Sequence, residues 1–253
     1  MFRQLFRLGT RRWIRYSVLT ASTISAGITF PIVFNDEIKN LSKLSIKYPD
    51  GVPFKDIDNV PLSLNFKDND YTLLGAGTRE VSFLKFRVYA LGLYIENKGI
   101  NNGIKFDEIL NLNYKYVARV CAIRNTDLSH LRDGFVRTIK NNELFKELSS
   151  NNDEIDEKLS QAIDKLRLSF NSVHCKAPRN SRIYVEIDNK GLKFSIEVVN
   201  KDGKTFKPLM KIGDIEEPLM AKILLHAYTD INKPLIKDVQ TSVYDSINTD
   251  SIN

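Results

Sequence analysis

Cysteine is nearly missing from this chain, with only Cys121 and Cys175 in 253 residues. Two thiols in a chain of that length do not make a disulfide framework, and without a CxxCH sequence a covalently attached haem is excluded. They read as buried or spectator thiols, with one pairing between them left open. Histidine is scarce as well. His130, His174 and His226 are the only imidazoles; no two stand at the spacing of a metal-binding pair, and His174-Cys175 is not a zinc signature. Internal repeats and low-complexity blocks are absent, which removes solenoids and arrays. Acidic residues are absent from the first 35 positions, which hold five arginines (Arg3, Arg7, Arg11, Arg12, Arg15). Without those five, 32 basic residues face 31 acidic ones. The formal charge of +6 therefore belongs to the start of the chain, and a near-neutral body is no nucleic-acid surface.

What stands at that start is MFRQLFRLGTRRWIRY. Wound as a helix, Phe2, Leu5, Phe6 and Trp13 gather near one side with arginines between them, the pattern of a mitochondrial presequence over residues 1–16. The spread of the arginines argues against a secretory signal. Residues 17–34 carry no charge and come close to the shortest membrane span, about 17 residues. Serines and threonines weaken this span and Pro31 ends or kinks it. It reads as a single transmembrane anchor at the inner membrane. The arginine cluster then stays in the matrix and the body faces the intermembrane space. If the stretch is part of a cleaved leader, the body is instead a soluble matrix protein. Residues 35–54 are polar and read as a linker, with a turn at YPDGVPF.

Over 55–253 the hydrophobic period changes several times. A first strand is expected near Val60–Phe66. In the stretch from Tyr71 to Ile95, Gly75-Ala76-Gly77 suggests a tight backbone turn. The β-branched, aromatic and aliphatic residues that follow predict two antiparallel strands turning at Leu84-Lys85. YKYVARVCAI (114–123) predicts another strand. Leu128, Leu131, Phe135 and Ile139, behind Thr126 or Asp127 as N-cap, predict a helix. Ile155, Leu159, Ile163, Leu166 and Phe170 predict a second. Period two returns at Ile183–Ile187 and Leu192–Val198, and Asn200–Gly203 is expected to turn the chain again into Lys204–Lys207. A last helix is expected over Ile215–Tyr228. Strands, helices, strands, helix make an α+β fold: a large antiparallel sheet with helices packed on one face.

Arg79 is a charge inside an otherwise strand-like run. Buried unpaired it would be costly, so it needs an anion, a wet cleft or a carboxylate such as Glu80. At these residues the sequence becomes recognisable. GAGTRE followed by VSFLKFRVYALGLYIE resembles the chalcone isomerase superfamily, most closely its fungal mitochondrial branch, the altered-inheritance-of-mitochondria proteins. The resemblance covers about residues 55–245 and is strongest over 73–96. It implies an open-faced sandwich with a cleft, and an oxyanion held by Arg79. Tyr89 stands where the plant isomerases have a catalytic threonine, and the interval from Arg79 is two residues shorter. Arg79 and Tyr89 instead match the pair that grips a carboxylate in the superfamily's fatty-acid-binding members. The isomerases' helical tyrosine and asparagine align with Leu128 and Phe135, which can do no polar chemistry. The resemblance thus implies a non-catalytic protein that binds a fatty acid or similar carboxylate and requires no cofactor. Two alternatives remain: an intramolecular lyase of chalcone isomerase type, and a non-covalent haem protein, which fungal members suggest and for which His226 is the candidate iron ligand.

Overall fold

The computed structural model describes residues 51–54, 57–81 and 86–248. The presequence, the 17–34 stretch and nearly all of the 35–54 linker lie outside the described residues, as does the hairpin turn at Leu84-Lys85. Among the described residues no helix is long and apolar enough to cross a membrane.

The strands are β1 (Val52–Phe54), β2 (Ile57–Val60), β3 (Ser63–Phe66), β4 (Asn69–Val81), β5 (Phe86–Glu96), β6 (Tyr116–Ala122), β7 (Thr126–Asp127), β8 (Lys176–Ala177), β9 (Arg182–Asp188), β10 (Gly191–Glu197) and β11 (Met210–Ile215). The helices are α1 (Asn97–Asn101), α2 (Leu128–Asn141), α3 (Glu143–Asn151), α4 (Asp153–Asn171), α5 (Pro218–Thr229) and α6 (Lys237–Asn248). Seven strands form one antiparallel sheet in the order β11-β10-β9-β6-β5-β4-β3. The expected α+β architecture with helices on one face is what folds.

Alternation along the strands divides the core. Leu91, Leu93 and Ile95 of β5, with Tyr116, Ala118 and Val120 of β6, pack under the helices in the main core. Their neighbours Tyr94 and Val117 point the other way, into a smaller core with Val52, Val60, Phe66, Tyr71 and Tyr184. That second face is closed by β1, β2 and β3, so a described strand, Val52–Phe54, lies inside the stretch read as linker.

The helices form where their apolar spacing and caps direct. Asn142 accepts from Leu144 N to start α3, and Asn152 accepts from Glu154 N and Ile155 N to start α4. Asp127 does occupy the N-cap of α2, but its side chain makes no capping bond. Glu217 caps α5 and Pro218 takes its first position, so the helix starts there rather than at Ile215, which ends β11.

The sequence reading needs three further corrections. Gly75 and Gly77 make no turn; both lie inside β4 beside an irregularity at Leu73–Gly75, and neither has positive φ. Their missing side chains admit α6. A Cβ on Gly75 would lie 2.6 Å from Val239 O, and one on Gly77 2.8 Å from Ile236 Cγ2. Lys204–Lys207 is not the third strand of the meander. Phe206 makes only a bridge to Val199, Pro208 has no N–H for a ladder, and the strand forms at β11. Finally, α5 is not the last helix. Val239, Val243 and Ile247 recur every fourth residue and bury the face of α6 against β4.

Candidate functional site

Arg79 on β4 and Tyr89 on β5 are direct cross-strand partners, so both side chains leave the same, helix-covered face of the sheet. The family resemblance named this pair; a simple hairpin turning at Leu84-Lys85 would have set Glu80 opposite Tyr89, and an irregularity at Arg79–Glu80 shifts the register. The Glu80 ion pair does not form. Glu80 points away and meets Arg87 at 3.6 Å, whereas Arg79 Nη1 donates to the backbone carbonyl of Leu235 at 2.9 Å. No described carboxylate lies within 4.0 Å of the Arg79 guanidinium. That leaves a half-buried positive charge with donors to spare.

Both residues line a cavity of about 550 Å³ between the sheet and the helices. Small-molecule sites typically run from about 300 to 1,000 Å³. Val120 of β6 with Leu131 and Phe135 of α2 supply an apolar wall. The segment after α5 closes another side through Pro234 and Leu235. Leu235 N donates to Ala227 O at 2.7 Å, which ties this segment to the end of α5 and fixes the carbonyl that receives Arg79. Lys233 donates to Glu143 at the start of α3 at 2.8 Å, bridging two exposed parts of the rim.

Burial pushes the Tyr89 hydroxyl above the ordinary tyrosine value, and the Arg79 charge partly offsets this. It therefore stays a neutral donor throughout the physiological range. Tyr228 of α5, a residue the sequence reading did not single out, is fully buried in the fields of Tyr89 and Arg79. Its hydroxyl faces that of Tyr89, and burial first, then Tyr89, pushes its pKa well up. One guanidinium and one protonated phenol thus meet where an apolar cavity adjoins the sheet, with the buried Tyr228 beside Tyr89 but outside the lining. Such a set can hold an oxyanion while its hydrocarbon part lies along Phe135 and Val120.

The other sequence candidates lie elsewhere. Leu128 and Phe135 are both buried on α2, and Phe135 reaches the cavity as a plain apolar surface. His226 is not part of the lining. Its Nδ1 lies 3.1 Å from Asn142 Oδ1 and 3.9 Å from Asp230 Oδ2. His130 lines the rim from the exposed first turn of α2, and His174 is exposed on a different part of the surface. Cys121 and Cys175 are free thiols, and burial pushes both pKa values up. Among the described residues no group of three or more His, Cys, Asp or Glu side chains could hold a metal ion. Sequence reasoning missed the Leu235 carbonyl and Tyr228. A backbone acceptor has no residue signature, but Pro234 just past a helix was a visible sign of a fixed turn.

A family model described as chalcone isomerase like matches residues 69–105 and 101–244. Curated relatives named "Altered inheritance of mitochondria protein 18, mitochondrial" are similar at low identity. The Debaryomyces hansenii protein is 29% identical over 209 residues, covering 70% of this chain and 66% of its own length, just under two thirds. The Eremothecium gossypii protein is 25% identical over 274 residues, covering 92% of this chain and 84% of its own. Among solved structures, an Arabidopsis thaliana fatty-acid binding protein superposes with a TM-score of 0.53 at 21% identity, over 74% of this chain and 92% of the other, a likeness of fold.

Proposed function

The chain belongs to the chalcone isomerase-like family, and from that premise we propose that it is a mitochondrial, non-catalytic member that binds a fatty acid or similar amphipathic carboxylate beside Arg79 and Tyr89. The observation that carries this reading is the pairing of Arg79 and Tyr89 at one cavity, with no carboxylate near the guanidinium. With Nη1 on Leu235 O, the remaining guanidinium donors and the Tyr89 hydroxyl can grip a carboxylate, while the acyl chain replaces water along the apolar wall. The fatty-acid-binding description of the Arabidopsis protein supports the ligand class, and the relatives' names support the compartment. Anchoring through residues 17–34 at the inner membrane, with the body in the intermembrane space, completes the proposal on the charge pattern alone.

A lyase has less in its favour. Cyclising a chalcone needs polar groups to orient water and a held phenolate, and Leu128 and Phe135 offer none. A haem does not fit these residues either: His226 lies outside the cavity lining beside Asn142, and the histidine in the lining, His130, sits exposed at the rim.

Titration with decanoate tests the assignment, alongside melts of the ligand-free variants. Arg79→Ala should weaken binding by about thirtyfold to several thousandfold, the effect of removing one partner of a buried charged pair. Tyr89→Phe should cost about 1.5–3 kcal/mol in affinity and leave the melt nearly unchanged. Arg79→Ala will also lower the melt somewhat, since Leu235 O loses its donor. If the melts fall while both affinities hold, Arg79 is scaffolding and the assignment is wrong.

A further inference from the structure

The rim of the cavity is polar only in part. Val81 and Val88 line it and are also 41% and 36% exposed to solvent. Phe86 is the cross-strand partner of Val81, so its ring leaves the sheet on the cavity side, 45% exposed. On the facing lip Ile231 is 64% exposed and follows Asp230, itself part of the lining. The apolar wall thus runs outward onto both lips.

Charge surrounds this opening. The Arg124 guanidinium sits 5.3 Å from the centre of the Phe86 ring, and Arg79 and Arg137 line the cavity. None of these three has a carboxylate within 4.0 Å among the described residues. Lys233 adds a cation paired with Glu143, and Asp230 is the remaining acid of the lining. Positive charge is in excess here, although the body of the chain is near neutral. Exposed apolar side chains ringed by arginines are the composition that enters a bilayer's headgroup boundary, apolar tips down and guanidinium groups at the phosphates.

We propose that the mouth of the cavity docks on an anionic phospholipid bilayer, so that an acyl chain passes between membrane and cavity without crossing bulk water. This rests on the fatty-acid reading above. A second copy of the chain fits the patch less well. Four partly exposed side chains fall short of the roughly 1,200–2,000 Å² that a stable protein interface buries, and arginine-rich lips repel their own image.

The test uses the full chain loaded with a fluorescent fatty acid, with vesicles of phosphatidylcholine alone or mixed with phosphatidylglycerol as acceptors. Transfer should speed up with vesicle concentration and with phosphatidylglycerol. Phe86→Ser and Ile231→Ser should each slow it by roughly tenfold, with the melt and the affinity for decanoate in solution unchanged. Arg124→Gln should remove most of the response to phosphatidylglycerol. Transfer that ignores vesicle concentration, or variants that transfer as fast as the wild type while still binding decanoate, would overturn the docking surface and leave the fatty-acid reading standing. Unchanged transfer with a shift from dimer to monomer on sedimentation would assign the lips to a second copy instead. A wild type that binds no decanoate would overturn the parent reading and this one with it.

Discussion

Arg79 and Arg119 leave opposite faces of one sheet, and their surroundings are reversed. Arg79 is half-buried, borders a cavity and rests one nitrogen on Leu235 O. Arg119, on β6, is 3% exposed, and its Nη1 has no partner. Its cross-strand neighbours are Gly92 and Tyr184, beneath the segment that closes the second face. That face is tight: a Cβ on Gly92 would lie 2.6 Å from Val60 Cγ1. Tyr94, beside Arg119, donates its hydroxyl to Pro61 O and turns that oxygen toward the guanidinium. Both arginines carry donors left over, yet only Arg79 borders room for something to meet them. An orphaned donor therefore marks a site only when space adjoins it; otherwise it is a cost the packing has absorbed.

The cavity face is the easier one to break. In Gly77→Val the new side chain would meet Ile236 and Val239 where α6 lies on β4. Overpacking costs about 1–3 kcal/mol where side chains yield, and here a whole helix must move. A fall in melting temperature of about 10 °C is expected, at roughly 2–4 °C per kcal/mol for a domain of this size. Decanoate affinity should fall with it, because displacing α6 displaces Leu235 and its hold on Arg79. A Gly77→Val protein that melts like the wild type would mean that α6 is not seated on these glycines.

The closed face should fail in alkali. Burial, and then the Glu186 charge, push Tyr71 up to about 12; burial, and then the hydrogen bond it donates to Glu197, do the same to Tyr184. Both folded values exceed the ordinary 10.0, so the folded state holds these protons more tightly than the unfolded chain. Their contribution is complete below pH 10 and is lost as pH rises from 10 through 12. The loss is at most about 2–3 kcal/mol per tyrosine at about 1.4 kcal/mol per pKa unit. Urea unfolding from neutral pH to pH 12 should show a flat region and then this decline. Tyr184→Phe should make the decline shallower, and an unchanged slope would remove Tyr184 as one of its causes.

The fold was largely readable because its signals are local and repeated. Period two in β9 and β10 and the stripes from Leu128 and Ile155 needed no knowledge of distant contacts. Arg79 and Tyr89 were readable from the family resemblance alone: a hairpin turning at Leu84-Lys85 would set Glu80 opposite Tyr89, and the irregularity at Arg79–Glu80 is what brings Arg79 there. The misreadings are non-local. Gly75 and Gly77 could mean a bend or a close approach, and only α6, more than 150 residues away, decides between them. The α6 stripe of Val239, Val243 and Ile247 was present but sat in a polar stretch already taken as the end of the fold. Pairing Arg79 with Glu80 failed because adjacent strand residues point to opposite faces.

The sharpest form of the comparison exchanges one side chain at a time for methionine, similar in length and uncharged. Arg119→Met removes a buried charge and its unpartnered donor together, leaving no acceptor stranded: Tyr94 still has Pro61 O, and Tyr184 still has Glu197. Replacing a buried charge by a well-packed apolar group is often neutral or stabilising. Unfolding free energy should therefore stay within about 1 kcal/mol of the wild type or rise above it, and decanoate affinity should not change. Arg79→Met should do the reverse, keeping most of the stability and losing the ligand. If Arg119→Met instead unfolds readily, that guanidinium has a structural partner under the closed face and the contrast between the two arginines fails. If it alters decanoate affinity, the two faces of the sheet are coupled, and the site extends through the sheet instead of stopping at the plane of β4 and β5.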